Sequence, residues 1–370
     1  MTRYILTRLG QALLVVFAAY TIAFFLLYVL PSDPVSLMLG TDAAGVTEEQ
    51  RAQLARQYGF DQPVIVQYLG RLGALFTGDL GYSFQQSRPV TEILAAAIPP
   101  TLQLASLGFL VALVFGLGIG LAAAAGRDRW WSQVLLGLPS LGVSIPAFWF
   151  GLVLIQLFSF KWRLFPAFNA EGLWGLVLPA ITLALPTGAM IAQVFARSLI
   201  TTQRQAFVTT AWAKGAGPGH VLFRHVTRNA LFPVLTITGL VVGQLFSGTV
   251  VTETVFSRPG LGRVIATSVT SQDIPVVLGA VIIGAALYTI ANLVVDLVYP
   301  LIDPRLRASI ARGDGRNGRR AATAPEAPFP AGEATAAALT GVDDEATDGE
   351  ADPATDERTE TTSETKEALR

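Results

Sequence analysis

The sequence predicts an all-α polytopic membrane protein with six transmembrane helices. Three observations carry the prediction. Six windows are each long and apolar enough to cross a bilayer core, which takes roughly 20 residues in a helix. Residues of the hydrophobic class make up 52% of the chain and charged residues only 14%, with a mean hydropathy of +0.50, too apolar for an ordinary soluble protein of 370 residues. The segments joining the windows also differ in their Lys and Arg content, as the flanks of membrane helices do.

The first window, 11–30, follows Arg3 and Arg8 and exceeds the ~7–15-residue core of a cleavable leader, so it reads as a retained first span. The segment 31–100 is long enough to hold structure of its own. Within it, 46–58 predicts a short helix, favoured by Ala52 and Ala55, and GDLGYSF (78–84) a turn-rich piece. We expect this segment to form a packed external cap. The second window, 102–125, includes most of GLGIGLAAAAG (116–126), whose small residues suit close helix packing. The remaining windows are 134–160, 173–195, 230–251 and 276–299. Together they define a transmembrane domain over 1–308. A tail at 309–370, acidic from about 321, carries too little apolar surface to fold and is expected to be disordered.

The net charge of −1 conceals two regions of opposite sign: residues 321–370 hold 13 acids and 3 bases, the rest of the chain 14 acids and 23 bases. Placing the N-terminus in the cytoplasm puts 15 of those 23 bases inside and 8 outside, which predicts that both termini are cytoplasmic. The arginines after the last span can then lie against anionic membrane lipid.

What the chain lacks narrows its chemistry. It has no cysteine, so disulfides, thiolate metal sites and cysteine nucleophiles are excluded. Its two histidines, His220 and His225, fall outside the windows, so no HExxH zinc site and no intramembrane serine–histidine pair is available. Five residues apart, they do not share a face of a regular α-helix. The one clear acid inside a window is Asp296, near the end of the last span. No GxxxxGK[ST] phosphate loop occurs, so any ATP-driven step needs another polypeptide. No metal, cofactor or nucleic acid is implied.

The informative segment is 197–229, which carries Arg197, Arg204, Lys214, Arg224 and Arg228 without an acid. Residues 199–214 predict an amphipathic helix, GAGPG (215–219) a break, and 220–228 a helical resumption into the next span. Glycine admits positive φ at the break, and Pro218 suits a first helical position. A basic loop resting on lipid needs no such placed break; a shaped protein contact does.

At these residues the sequence resembles a known family. TTAWAKGAGPGHVLFRHVTRNALFPV (209–234) is similar to the cytoplasmic loop of ABC-importer permeases of the dipeptide/oligopeptide/nickel type. The resemblance continues in order through RYILTRLGQALLVVF (3–17), LPSDPV (30–35), GFDQPVIVQY (59–68), GDLGYSF, SIPAFWFGLVLIQLF (144–158), VFSRPGLGR (255–263) and NLVVDLVYPLIDPRLR (292–307), covering about 1–307. It implies the type I ABC-importer permease architecture, in a multi-pass subunit of a prokaryotic inner or plasma membrane. The implied partners are a second permease subunit, two cytoplasmic ABC ATPase subunits and an external solute-binding protein. It implies that the loop 197–229 is a coupling element seated on an ATPase, with Ala211, Lys214, Gly215, Gly217, His225, Arg228 and Asn229 as its candidate residues. Ala206 departs from an often acidic position, and Thr209 and Trp212 stand where arginines are common.

A di- or oligopeptide is the solute class the resemblance fits best. Within the windows, Ser144, Gln156, Gln193, Gln244 and Asn292 are candidates to face a translocation pathway, although polar residues in spans also simply bond helices together. The alternative, a stand-alone ion-coupled carrier or channel, would need intramembrane charge relays that the windows hardly provide.

Overall fold

A computed structural model describes residues 2–29, 35, 47–126, 129–168 and 172–302. The expectations for the acidic tail, for most of LPSDPV and for Arg127 fall outside the described residues, as does the side chain of Asp296. The chain divides into two units, Met1–Gly313 and Asp314–Arg370, and every described residue belongs to the first.

Helix α1 (Thr2–Phe24) runs on as a π-helical turn, Phe25–Val29. Two short helices follow. In α2 (Glu48–Tyr58), Thr47 and Gln50 form a reciprocal capping box, and Gly59 at φ 71° closes the far end. Helix α3 (Val64–Phe76) docks on the end of α1: Tyr20 Oη donates to the Tyr68 carbonyl (2.7 Å), and the Phe24 ring meets the Tyr68 ring edge-on at 5.3 Å. The GDLGYSF turn has Gly78 and Gly81 at φ 78° and 81°.

Helix α4 (Val90–Ala125) is 36 residues long, about 54 Å at 1.5 Å per residue, so its first turns extend beyond a ~30 Å hydrocarbon core. It packs along α7 (Trp174–Gln203) in the most extensive helix pair among the described residues. The small residues make that approach possible. Gly108, Ala112, Gly116, Gly120 and Ala124 recur every fourth residue and are all buried. A Cβ on Gly116 would lie 2.7 Å from the Gly188 carbonyl oxygen, and one on Gly120 2.8 Å from the Phe195 ring.

The window at 134–160 is not one straight span. It is two helices, α5 (Trp130–Ser144) and α6 (Ala147–Leu154, continued by a π-helical stretch, Ile155–Lys161), bent by 102°. The cause is Pro146, which drives Ile145 into an extended conformation (ψ 124°) that ends α5. Among the described residues, five other helices are long and apolar enough to cross a membrane, and the bent pair counted as one broken span makes six.

After α7 come α8 (Ala206–Ala213), α9 (Pro218–Val255), the short α10 (Leu261–Thr270) and α11 (Ile274–Ile302), which packs against α1. The main core joins α4, α7, α8 and α9 through Leu104, Leu183, Phe195, Val208, Val226 and Leu245, among others.

Candidate coupling site and membrane face

The basic segment folds as a compact helix–turn–helix, with a correction to its boundaries. No single helix covers 199–214. Helix α7 absorbs residues up to Gln203, Gln205 is extended (ψ 149°), and only Ala206–Ala213 forms the separate helix α8. The end of α8 is a Schellman turn: the Gly215 N–H donates to the Trp212 carbonyl (2.9 Å) and the Ala216 N–H to the Ala211 carbonyl (3.1 Å). Gly215 sits at φ 81°, which an L side chain resists. Gly217, at φ −68° and ψ 157°, needs no glycine, and Pro218 begins α9 as its first helical residue.

The start of α9 departs from regular spacing. Residues Val221–Val226 form a π-helical turn, and five residues then make roughly one turn, so the rings of His220 and His225 meet at 5.5 Å between centroids. The expectation from α-helical spacing, that these two side chains stand apart, is overturned. No group of three or more potential metal-ligating side chains occurs among the described residues.

The loop buries one face and exposes another. Val208, Val221, Leu222 and Val226 belong to the same core as Ala124, Phe195 and Leu199 at the ends of α4 and α7. Of the candidates, Ala211 packs partly against this core, and Asn229 Nδ2 donates to the His225 carbonyl (2.8 Å). Lys214, Gly215, Gly217, Arg228 and Asn229 are exposed, and His225 is half-buried. Beside the exposed bases stand three exposed aromatics, Phe207, Trp212 and Phe223, the last 63% accessible. Phe207 and Phe223 escaped sequence reasoning, because an apolar residue in a mostly apolar chain gives no signal of which way it faces.

The pathway candidates do not form one cluster. Ser144 ends α5 and donates to the Ser140 carbonyl (2.9 Å); Gln156 is exposed in the π-helical stretch after α6; Gln193 is half-buried in α7. Asn292 of α11 donates to the Tyr288 carbonyl (3.1 Å), and its Oδ1 lies 3.3 Å from where a Cβ on Gly239 would be. Gln244 belongs to a pattern. The exposed residues of α9 include Asn229, Pro233, Thr236, Leu240, Gln244, Ser247, Val251 and Thr254, spaced by three or four, so they form one stripe from the basic loop to the far end of the helix. Five of the eight are polar. A glutamine amide left exposed inside a span is costly against hydrocarbon unless water or a partner helix meets it.

One member of the stripe, Ser247, lines a cavity of about 300 Å³ with Thr101, Leu261, Gly262, Ile265 and Tyr288. Behind this cavity lies a second correction. Helix α9 continues to Val255, so Glu253 is an acid within a span, and it is fully buried. Thr101 Oγ1 donates to its Oε1 (2.6 Å), and the N–H groups of Gly262 and Arg263 donate to its Oε2 (2.8 and 3.2 Å). Arg258, also buried, donates from Nη1 to the Gly175 carbonyl (3.2 Å). Burial draws its guanidinium below the usual arginine range, with nearby Glu253 acting the other way.

The family profile described as "Binding-protein-dependent transport system inner membrane component" matches residues 116–308, and the profile for the N-terminal part of such membrane components matches residues 1–105. A Brucella abortus (strain 2308) protein named as a peptide transport system permease is 36% identical over 315 residues, covering 83% of this chain and 99% of the relative. The glutathione transport system permease protein GsiC of Salmonella choleraesuis is 35% identical over 307 residues, with the same coverage. The fold also matches a chain of the MetNI methionine ABC transporter, solved in inward-facing conformations, with a TM-score of 0.51 at 15% identity, covering 59% of this chain and 100% of that one.

Proposed function

Since the chain belongs to the family of binding-protein-dependent transport system inner membrane components, and is a multi-pass ABC-importer permease, we propose that its helix–turn–helix at 204–229 is the seat of a separate ATPase subunit. The observation that carries this reading is the two-sidedness of the loop. Its buried side shares a core with α4, α7 and α9, so a displacement of the loop is a displacement of the span ends. Its exposed side offers Phe207, Trp212 and Phe223 among Arg204, Lys214, Arg224 and Arg228, the composition of a protein contact with an acidic rim.

In this reading the loop and both termini are cytoplasmic, and the segment between α1 and α4 faces outward. A second permease subunit packs beside this one, two ATPases sit beneath the pair, and an external binding protein delivers the solute. ATP binding closes the ATPases and supplies the differential free energy between inward- and outward-facing states. The permease contributes a lever and a path and takes no part in ATP chemistry. The α9 stripe, rich in neutral polar groups, suits a peptide-class solute whose selection rests largely with the binding protein, in keeping with the peptide and glutathione systems for which its relatives are named.

The test is affinity purification of the tagged chain from its native membrane in mild detergent. The wild type is expected to retain a second permease and the ATPases. Trp212→Asp with Phe223→Asp should keep the permease partner and lose the ATPases. Retention of the ATPases by that variant would exclude the loop as their seat.

A further inference from the structure

Helix α10 is tied down in a manner that ordinary packing would not require. It is bracketed by two buried acids and two left-handed residues. Before it, Ser257 adopts φ 51° and Glu253 receives the N–H groups of its first turn; after it, Gln272 adopts φ 56° and Asp273 accepts from Ser83 Oγ and from the Phe84 N–H (3.1 Å). Neither Ser257 nor Gln272 is a glycine, so each junction holds backbone strain that its surroundings must maintain. A fully buried acid is also a poor way to gain stability, since apolar residues of similar volume commonly do as well. What such a group adds is one discrete arrangement, held or lost as a unit.

The residue that completes the arrangement is Thr101, on α4 and 152 positions from Glu253. Its hydroxyl donates to Glu253 and accepts from the Leu261 N–H (2.7 Å), and it therefore joins α4, α9 and α10 at one atom. There is no slack around it. A Cβ on Gly260 would fall 2.3 Å from the Glu253 carboxyl, and one on Gly262 would fall 2.4 Å from Val250 Cα. On its other side, Thr101 lines the 300 Å³ cavity that also contains Ser247 of the α9 stripe, and Leu261, Gly262 and Ile265 of α10 form part of the same wall.

We infer that Thr101 and Glu253 are positioning residues that latch the N-terminus of α10 over the end of the solute path, so that releasing this latch is a step in opening the permease there. The inference rests on the permease reading given above. With the latch closed, α10 walls off the cavity from that end. With it open, the strained junctions at Ser257 and Gln272 let the helix swing as a unit, and the cavity opens on the side that Leu261, Gly262 and Ile265 now wall.

Thr101→Val removes the hydroxyl at nearly constant shape, and Thr101→Ser restores it. Both are examined in the full transporter, reconstituted in proteoliposomes with its ATPases and binding protein, by hydrogen exchange across 261–270 and by solute taken up per ATP hydrolysed. Thr101→Val should assemble normally, exchange about tenfold faster over that segment, as the loss of a buried hydrogen bond allows, and lose at least half of its uptake per ATP. Thr101→Ser should behave like wild type. Unchanged exchange, unchanged coupling, or failure of Thr101→Val to assemble would each overturn the latch, the last by making the hydroxyl a folding contact only. Absence of ATP-driven uptake in the wild-type complex would instead sink the permease reading, and exchange over 261–270 would still report on the latch.

Discussion

Gly215 is where the coupling reading becomes quantitative. It closes α8 at φ 81°, and nothing lies within 4 Å of the position a Cβ would occupy. A substitution there therefore meets no steric neighbour, and its effect is confined to the backbone. For an L residue the left-handed region costs roughly 1–2 kcal/mol, which is about a 5- to 30-fold loss in the population of the turn. Alanine should fall at the low end and valine, β-branched, at the high end. Because the turn is exposed and closed by its own two hydrogen bonds, the spans should fold unchanged. The assay is ATP hydrolysis and solute uptake measured together in proteoliposomes of the full transporter. Gly215→Val should lower uptake per ATP several-fold, Gly215→Ala less, and Gly217→Ala, at a position with φ −68° and open space, not at all. Equal coupling in all three would refute the idea that the shape of this turn carries the movement.

Other consequences can be measured separately. The chain has no cysteine, so single cysteines introduced at Gln244 and Ser247 should react with a water-soluble maleimide or cross-link to the partner permease, whereas one at the exposed Leu110 of α4 should do neither. Gly116→Val should lower the melting temperature of the purified permease markedly, since its side chain would meet the Gly188 carbonyl and Ile191; Gly118→Ala, with nothing within 4 Å, should not. Asp273→Ala leaves Ser83 and the Phe84 N–H without their acceptor, a local loss of about 1–3 kcal/mol, and limited proteolysis should cut the segment 77–89 several-fold faster.

Much of this was legible because the signals are local. Apolar runs mark the spans, the small residues of 116–126 mark a close helix approach, and GAGPG at 215–219 marks the break after α8. The misjudged features depend on context that a window does not contain. The run 134–160 carries no charged residue, so its hydropathy concealed the turn that Pro146 imposes. Glu253 falls two residues past the window 230–251 because its polar neighbours lower the local hydropathy, and its hydrogen-bond partner Thr101 comes from another helix. His220 and His225 meet only because the backbone winds as a π-helix, which no α-helical spacing rule anticipates. The polar stripe on α9 became readable only when the buried faces of that helix were assigned, since threonine and serine recur all around it.

The central claim, that this chain is a path opened by ATPases acting through its basic loop, is tested most directly by reconstitution. The chain is placed in proteoliposomes with its co-purified permease, ATPases and binding protein, and uptake of a labelled oligopeptide is followed. The account predicts uptake that requires ATP and the binding protein and is lost when the loop aromatics Trp212 and Phe223 become aspartate. Uptake by the chain alone, driven by an ion gradient and indifferent to those substitutions, would contradict it.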